Sequence, residues 1–282
     1  TGLLIPPSNV LIVYALACGG TASVAALFVA GYVPGILVGL ALMAVAAIIA
    51  RKEKFRRGET AKLSQVWGDF RRAFFSLLML IVIVGGIVKG IFTATEAAAV
   101  AVLYALILGV VYGTISFKNL PQVLLSSAKT TAIVMFLICT SMAMSWLFSF
   151  ESIPQLMTGF LLETVSSPFL IFILINLTLL VVGTFMDMTP AILIFTPIFL
   201  PVVTQLGMDP VHFGIVMVLN LCIGLCTPPV GTILFVGAGV AKISVSKVIK
   251  PLLPFLAAMI LMLLVVTFFK GLSLWLPQQF GL

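Results

Sequence analysis

Two features of this chain put chemistry inside an otherwise apolar protein: paired prolines that free backbone carbonyls, and a carboxylate four residues after a glycine. Leu225-Cys226-Thr227-Pro228-Pro229-Val230-Gly231-Thr232 lies within an apolar run from Val211 to about Ala241. As one helix, rising about 1.5 Å per residue, that run would exceed the roughly 30 Å hydrocarbon core of a bilayer. It should break in the middle. Pro228 and Pro229 donate no N–H, and the proline after Thr227 pushes that residue out of the α region, so nearby carbonyls lose their intrahelical partners. Free carbonyls at membrane depth persist only when buried in protein or lining a wet cavity, which is how secondary transporters build ion and substrate sites.

The device occurs twice. Thr1-Gly2-Leu3-Leu4-Ile5-Pro6-Pro7-Ser8-Asn9-Val10-Leu11 matches Ile223 to Ile233 at a constant offset of 222, with Gly, Leu and both prolines identical. An internal repeat is the simplest account, and the chain then opens inside a motif, with further residues expected upstream. A third interruption, Gly183-Thr-Phe-Met-Asp-Met-Thr-Pro190, carries Asp187. A carboxylate at membrane depth needs a cation or hydrogen-bond donors; the alternative role for Asp187 is to accept backbone N–H bonds at a hairpin tip. Thr93-Ala-Thr-Glu96 fits a capping box. His212, just after Asp209-Pro210, reads as an interfacial packing residue. The four cysteines lack the spacing of a metal site or a disulfide framework.

The elements that must position these residues follow from composition. With 62% hydrophobic and 8% charged residues, and apolar runs that repeatedly reach about 20 residues, the chain reads as an all-α polytopic membrane protein. The net charge of +7 does not point to nucleic acid, because eight of the 15 basic residues crowd between Arg51 and Arg72, the signature of a cytoplasmic loop. The expected order is the second half of a broken helix over 1–20 and spanning helices over 24–150 around the loop 51–72. A re-entrant hairpin over 169–205 follows, each arm (Phe169–Val182 and Ala191–Val203) too short to span alone. The second broken helix occupies 210–241, and a last span 252–276.

With Arg51 to Arg72 cytoplasmic, alternation places 13 basic residues inside and only Lys89 and Lys270 outside. The two Pro-Pro helices then run in opposite directions. Inverted repeats that meet at paired helix breaks are the plan of an alternating-access transporter. A channel would need a continuous polar pore, and an intramembrane hydrolase a catalytic pair at membrane depth; neither pattern is found, so an enzyme is not expected. There is no ATP-binding loop.

Gly183-Thr-Phe-Met-Asp187, Ile223-Gly-Leu-Cys-Thr-Pro-Pro-Val-Gly231, Thr95-Glu-Ala-Ala-Ala and Ile5-Pro-Pro-Ser8 together resemble the large membrane (M) subunit of tripartite ATP-independent periplasmic (TRAP) transporters, and the resemblance covers all 282 residues. It implies an elevator-type, sodium-coupled importer of organic acids, of the sialic acid or C4-dicarboxylate kind, in the bacterial inner membrane. The implied partners are a small four-helix Q membrane subunit and a periplasmic binding P subunit. Such M subunits are longer at the N-terminus, so residues 1–282 correspond to the C-terminal part. A sodium/carboxylate symporter of a related family, working without a binding protein, is the alternative.

The resemblance places one Na⁺ among Asp187, Gly224, Thr227 and the carbonyls of Pro228 and Gly231. Carbonyls, a hydroxyl and one carboxylate suit that hard cation. The repeat assigns Gly2, Pro6 and Ser8 to the other ion site. Ser8, Asn9, Met186 and Thr232 are expected to face an anionic substrate near helix N-termini, where free N–H groups favour a carboxylate; the simpler role for the polar ones is to cap the half-helices. Apart from Na⁺ as coupling ion, no cofactor is expected.

Overall fold

The computed structural model describes residues 2–54, 63–116, 118–165 and 167–282, and among these the regular structure is entirely helical. In chain order the helices are α1 (Asn9–Ala17), α2 (Val24–Lys52), α3 (Leu63–Val88), α4 (Ala94–Val111), α5 (Leu120–Phe150) and α6 (Ile153–Thr164). They continue as α7 (Pro168–Phe185), α8 (Met188–Gln205), α9 (Pro210–Gly224), α10 (Thr232–Ala241), α11 (Val245–Phe268) and α12 (Gly271–Gln279). Among the described residues, α2, α4, α5, α7, α8 and α11 are each long and apolar enough to cross a membrane. The chain divides into two compact units, Thr1–Ile48 with Phe136–Leu282, and Ile49–Met135.

The larger unit is built round α9. Apart from His212 and Asn220 its residues are apolar on every side, so no face is suited to water, and nearly all of them are buried. The helix starts where expected: the Asp209 carboxylate accepts from Val211 N at 2.8 Å, and Pro210 occupies the first position, where its missing N–H costs nothing. Tyr14 of α1 donates its hydroxyl to Pro210 O at 2.7 Å, and its ring meets Phe213 edge-on. Gly214 makes room for it, because a Cβ there would collide with the rings and methyls of Tyr14 and Leu27.

Contacts along α9 also give the direction of its neighbours. Asn176 of α7 pairs with Asn220, and Gly183 further along α7 packs on Gly224, so α7 runs parallel to α9. On α8, Thr196 donates to the Met217 sulfur at 3.4 Å, and Val203 shares a small cavity with Phe213 and Val216, so α8 runs antiparallel. The chain therefore reverses at Met186 and Asp187 as a helical hairpin. The interruption expected over 183–190 shrinks to these two residues, because Pro190 is the third residue of α8, where no intrahelical N–H bond is required. Each arm has 18 residues, about 27 Å. Each arm is thus longer than the sequence suggests, and long and apolar enough to be a candidate span.

Three other boundaries differ from expectation. The span that the sequence places over Lys129 to Phe150 starts earlier, as α5 at Leu120, since the segment before Lys129 holds no helix breaker beyond Pro121 in the first turn. α11 starts at Val245 and keeps Pro251 and Pro254 inside the helix, and the expected span 252–276 is interrupted at Phe269 and Lys270 before α12. The segment expected between the last loop and the hairpin forms α6.

In the smaller unit, α3 begins at Leu63 within the expected loop 51–72 and bends by 56° between Ser64–Arg71 and Ala73–Val88. The rest of that loop, 55–62, lies outside the described residues. Trp67 and Phe70 stack with ring centroids 5.7 Å apart and stay exposed. α4 is tied to α3 by Tyr104, whose hydroxyl donates to Phe75 O at 2.7 Å. The capping box forms as the spacing requires: Thr93 N donates to the Glu96 carboxylate at 2.8 Å, and Glu96 N donates to the Thr93 hydroxyl at 3.3 Å.

Candidate ion and substrate site at the second break

At the end of α9 the chain first tightens into turns, with Cys226 N donating to Ile223 O at 3.0 Å and Thr227 N to Gly224 O at 2.8 Å. Then come two residues without N–H groups. Among the described residues, no hydrogen bond is made to the carbonyls of Cys226, Thr227, Pro228, Pro229 or Val230. The Thr227 hydroxyl donates back to Ile223 O at 2.7 Å, which uses its hydrogen and leaves its oxygen lone pairs for a cation. Gly231 restarts the helix with φ +50°, a left-handed conformation that favours glycine. A Cβ at Gly231 would stand 2.9 Å from Thr227 O and 3.1 Å from Leu225 O, so both oxygens crowd its α-carbon.

The hairpin closes on this loop through backbone. A Cβ at Gly224 would lie 2.7 Å from the Cα and the carbonyl carbon of Gly183, a spacing only two glycines allow. One residue further on, Thr184 O accepts from Gly231 N at 3.2 Å, while the buried Thr184 side chain donates to Leu180 O at 2.9 Å. Asp187 precedes the first residue of α8, but its exposed side chain makes no capping hydrogen bond. The alternative role foreseen for it, accepting backbone N–H groups at the tip, is thus not seen. Met186 beside it is half-buried, Thr232 is exposed at the first position of α10, and Pro228 is half-buried.

The structure therefore brings Gly224, Thr227 and Gly231 together with Gly183 and Thr184. It does not join them to the first break: among the described residues no hydrogen bond links Gly2, Pro6, Ser8 or Asn9 to the second break or the hairpin. Leu4 and Ile5 pack instead against Gly31 and Gly35 of α2. Ser8 is buried, donates to Leu3 O at 2.6 Å and accepts from Leu11 N at 3.4 Å as the cap of α1, while Asn9 is exposed at its first position. Ser8 thus caps α1. Both proline pairs are cis at their second proline.

Sequence reasoning missed the Thr184 and Leu225 carbonyls, which accept from Gly231 N and Ile233 N and tie the break together, although Thr184 lies in the Gly183 to Asp187 motif; backbone atoms have no side-chain signature. His212, read from sequence as a packing residue, is 2% exposed with Nε2 3.2 Å from Thr267 O, a buried tie between α9 and α11.

The comparisons with known proteins agree with this architecture. The family model described as "Tripartite ATP-independent periplasmic transporter, DctM component" matches residues 1–272. The uncharacterized protein YgiK of Salmonella typhimurium is 54% identical over 280 residues, covering 99% of this chain and 64% of the relative. The C4-dicarboxylate TRAP transporter large permease protein DctM of Pseudomonas aeruginosa is 42% identical over 282 residues, covering 100% and 66%. The sialic acid TRAP transporter large permease protein SiaM of Vibrio cholerae is 37% identical over 280 residues, covering 99% and 65%. The chain thus spans about two-thirds of the length of these relatives. With its apolar spans it is a multi-pass inner-membrane protein, and it belongs to the DctM component family of tripartite ATP-independent periplasmic transporters.

Proposed function

We propose that this chain is the permease part of a sodium-coupled transporter that imports a small organic anion by alternating access. Na⁺ binds at the second break: the Thr227 hydroxyl oxygen and the carbonyls of Gly224, Thr227, Pro228 and Gly231 supply neutral oxygens, and Asp187 supplies charge from the hairpin tip. The observation that carries this reading is the run of unpaired carbonyls from Cys226 to Val230, those of Thr227 and Pro228 among them, held against the hairpin by the Gly183–Gly224 contact and the Thr184–Gly231 bond; the Gly224 and Gly231 carbonyls already accept backbone N–H groups and would offer the ion their second lone pair. An ion bound there bridges tip and break, so binding and hairpin closure favour each other. Ser8, Pro6 and Gly2 contribute to the corresponding site at the first break.

The anion sits beside the ion, where Thr232, Met186 and the N-terminus of α10 offer a hydroxyl, an adaptable side chain and the N–H of Thr232, the N–H groups of Gly231, Ile233, Leu234 and Phe235 being already bonded to carbonyls. Relatives named for C4-dicarboxylates, sialic acid and 2,3-diketo-L-gulonate support an organic acid as cargo. The family supports a small membrane subunit and a periplasmic binding subunit as partners, and the hairpin with its break moves as one elevator body. Uptake into proteoliposomes, with the partner subunits present, tests the coupling: an inward Na⁺ gradient drives accumulation and choline in place of Na⁺ abolishes it. Equal uptake in the two conditions refutes sodium coupling.

A further inference from the structure

Two helices of the larger unit that read from sequence as plain apolar segments meet through buried amides. Asn176 of α7 is 6% exposed and Asn220 of α9 is 0% exposed. Asn220 Nδ2 donates to Asn176 Oδ1 and to Asn176 O, each at 2.8 Å. Asn176 Nδ2 donates in turn to Phe172 O at 2.9 Å and to the Thr267 hydroxyl of α11 at 3.3 Å, and that hydroxyl donates to Leu263 O at 2.8 Å. The direction of the ladder is fixed by chemistry, since turning the Asn220 amide over would aim its oxygen at two acceptors.

Elsewhere along the α7–α9 contact, the close approach of Gly183 to Gly224 resists translation only at the end near the break. The residues between it and the amides are mostly aliphatic, and for these a shift along the axis exchanges one apolar contact for another. The amides are different. A shift by one turn separates Asn220 from both of its acceptors and strands buried polar groups, which is the way a single buried asparagine sets the register of packed helices. Asn220 Oδ1 already has no partner in the structure, so the arrangement does not maximise hydrogen bonding. From Asn176 to Gly183 is two helical turns, and from Asn220 to Gly224 about one. Any slip at the ladder is therefore passed rigidly to the Thr184–Gly231 bond.

We propose that Asn176 and Asn220 are positioning residues that lock the first hairpin arm in register with α9 and so set the geometry of the hairpin tip against the second break. The consequence for ion affinity rests on the sodium reading above; the register itself does not. The test uses the double variant Asn176→Leu/Asn220→Leu, which removes both partners together and keeps the branched shape of the side chain, so no amide is stranded by its partner's loss. Cys18, Cys139, Cys222 and Cys226 are replaced, and nitroxide labels are placed at Phe185 and Phe235, which are 61% and 52% exposed.

The unsubstituted pair should give one narrow distance between the labels. The double variant should give a distribution broadened or displaced by up to about 5.4 Å, one helical turn, together with a Na⁺ half-saturation for uptake raised about tenfold and a retained detergent melting transition. The same narrow distance in both forms overturns the proposal, and the amides then serve packing alone. The distance reading needs no transport, so a protein whose uptake ignores Na⁺ would refute the sodium reading and still decide the register.

Discussion

Gly224→Ala is the sharpest perturbation of the site, because the added methyl has only backbone to meet. Its Cβ would stand 2.7 Å from the Cα and the carbonyl carbon of Gly183 and 3.1 Å from Leu180 O. Carbon atoms in contact prefer about 3.5 Å or more, so the hairpin arm must retreat by roughly 0.8 Å. The Gly231–Thr184 bond, already 3.2 Å long, then passes out of hydrogen-bond range. Overpacking of this kind costs about 1–3 kcal/mol. If that cost falls on the closed, ion-bound arrangement, the Na⁺ half-saturation rises about 5- to 140-fold, at about 1.4 kcal/mol per tenfold. The assay is initial uptake rate against Na⁺ concentration in proteoliposomes, with detergent melting followed with and without Na⁺. Gly237→Ala is the matched control, since a Cβ there meets nothing within 4 Å, and it should leave the half-saturation unchanged. A folded Gly224→Ala protein with the parent's half-saturation, equal to that of the Gly237→Ala control, would refute the claim that the tip must close on the break for the ion to bind.

Asp187→Asn keeps the size of the tip residue but removes the charge that offsets a desolvated cation. Its side chain makes no capping bond to lose, so the fold should survive while sodium-driven uptake falls about tenfold or more; unchanged Na⁺ dependence would remove Asp187 from the ion site. Thr227→Val preserves shape and deletes one oxygen, and the half-saturation should rise about tenfold, with little change for substrate at saturating Na⁺. Single cysteines at Ser64 and Glu151 in a cysteine-free background test sidedness. An impermeant reagent added to whole cells should label Glu151→Cys and spare Ser64→Cys, and the reverse pattern would invert the topology drawn from basic residues.

Much of the plan was legible because it rests on local rules. Proline has no N–H wherever it stands, so Pro228-Pro229 had to interrupt an apolar helix, and the match at Pro6-Pro7 followed by simple comparison. Thr93 and Glu96 are three residues apart, and the capping box forms from that spacing alone. Asp209-Pro210 starts α9 for equally local reasons. The membrane class followed from the scarcity of charge. Where local rules are weak, the boundaries moved. Pro190 reads as a breaker in isolation, yet at the third position of α8 it costs no hydrogen bond, so the hairpin arms are longer than expected.

Which atoms face one another was decided only by tertiary structure. Asn176 and Asn220 are separated by 43 intervening residues, and nothing within either helix shows that one amide will donate to the other. His212 read as a packing residue, but its partner, the Thr267 carbonyl of α11, lies 55 positions away in sequence. The carbonyls of Thr184 and Leu225 carry no side-chain identity at all, and they gather at Gly231 because two glycines, 41 positions apart, let two backbones touch. A single chain can announce that carbonyls will be freed, since that depends on the proline beside them. Where those carbonyls point depends on the packing of helices distant in sequence, and that information is distributed over every contact that holds α7 against α9.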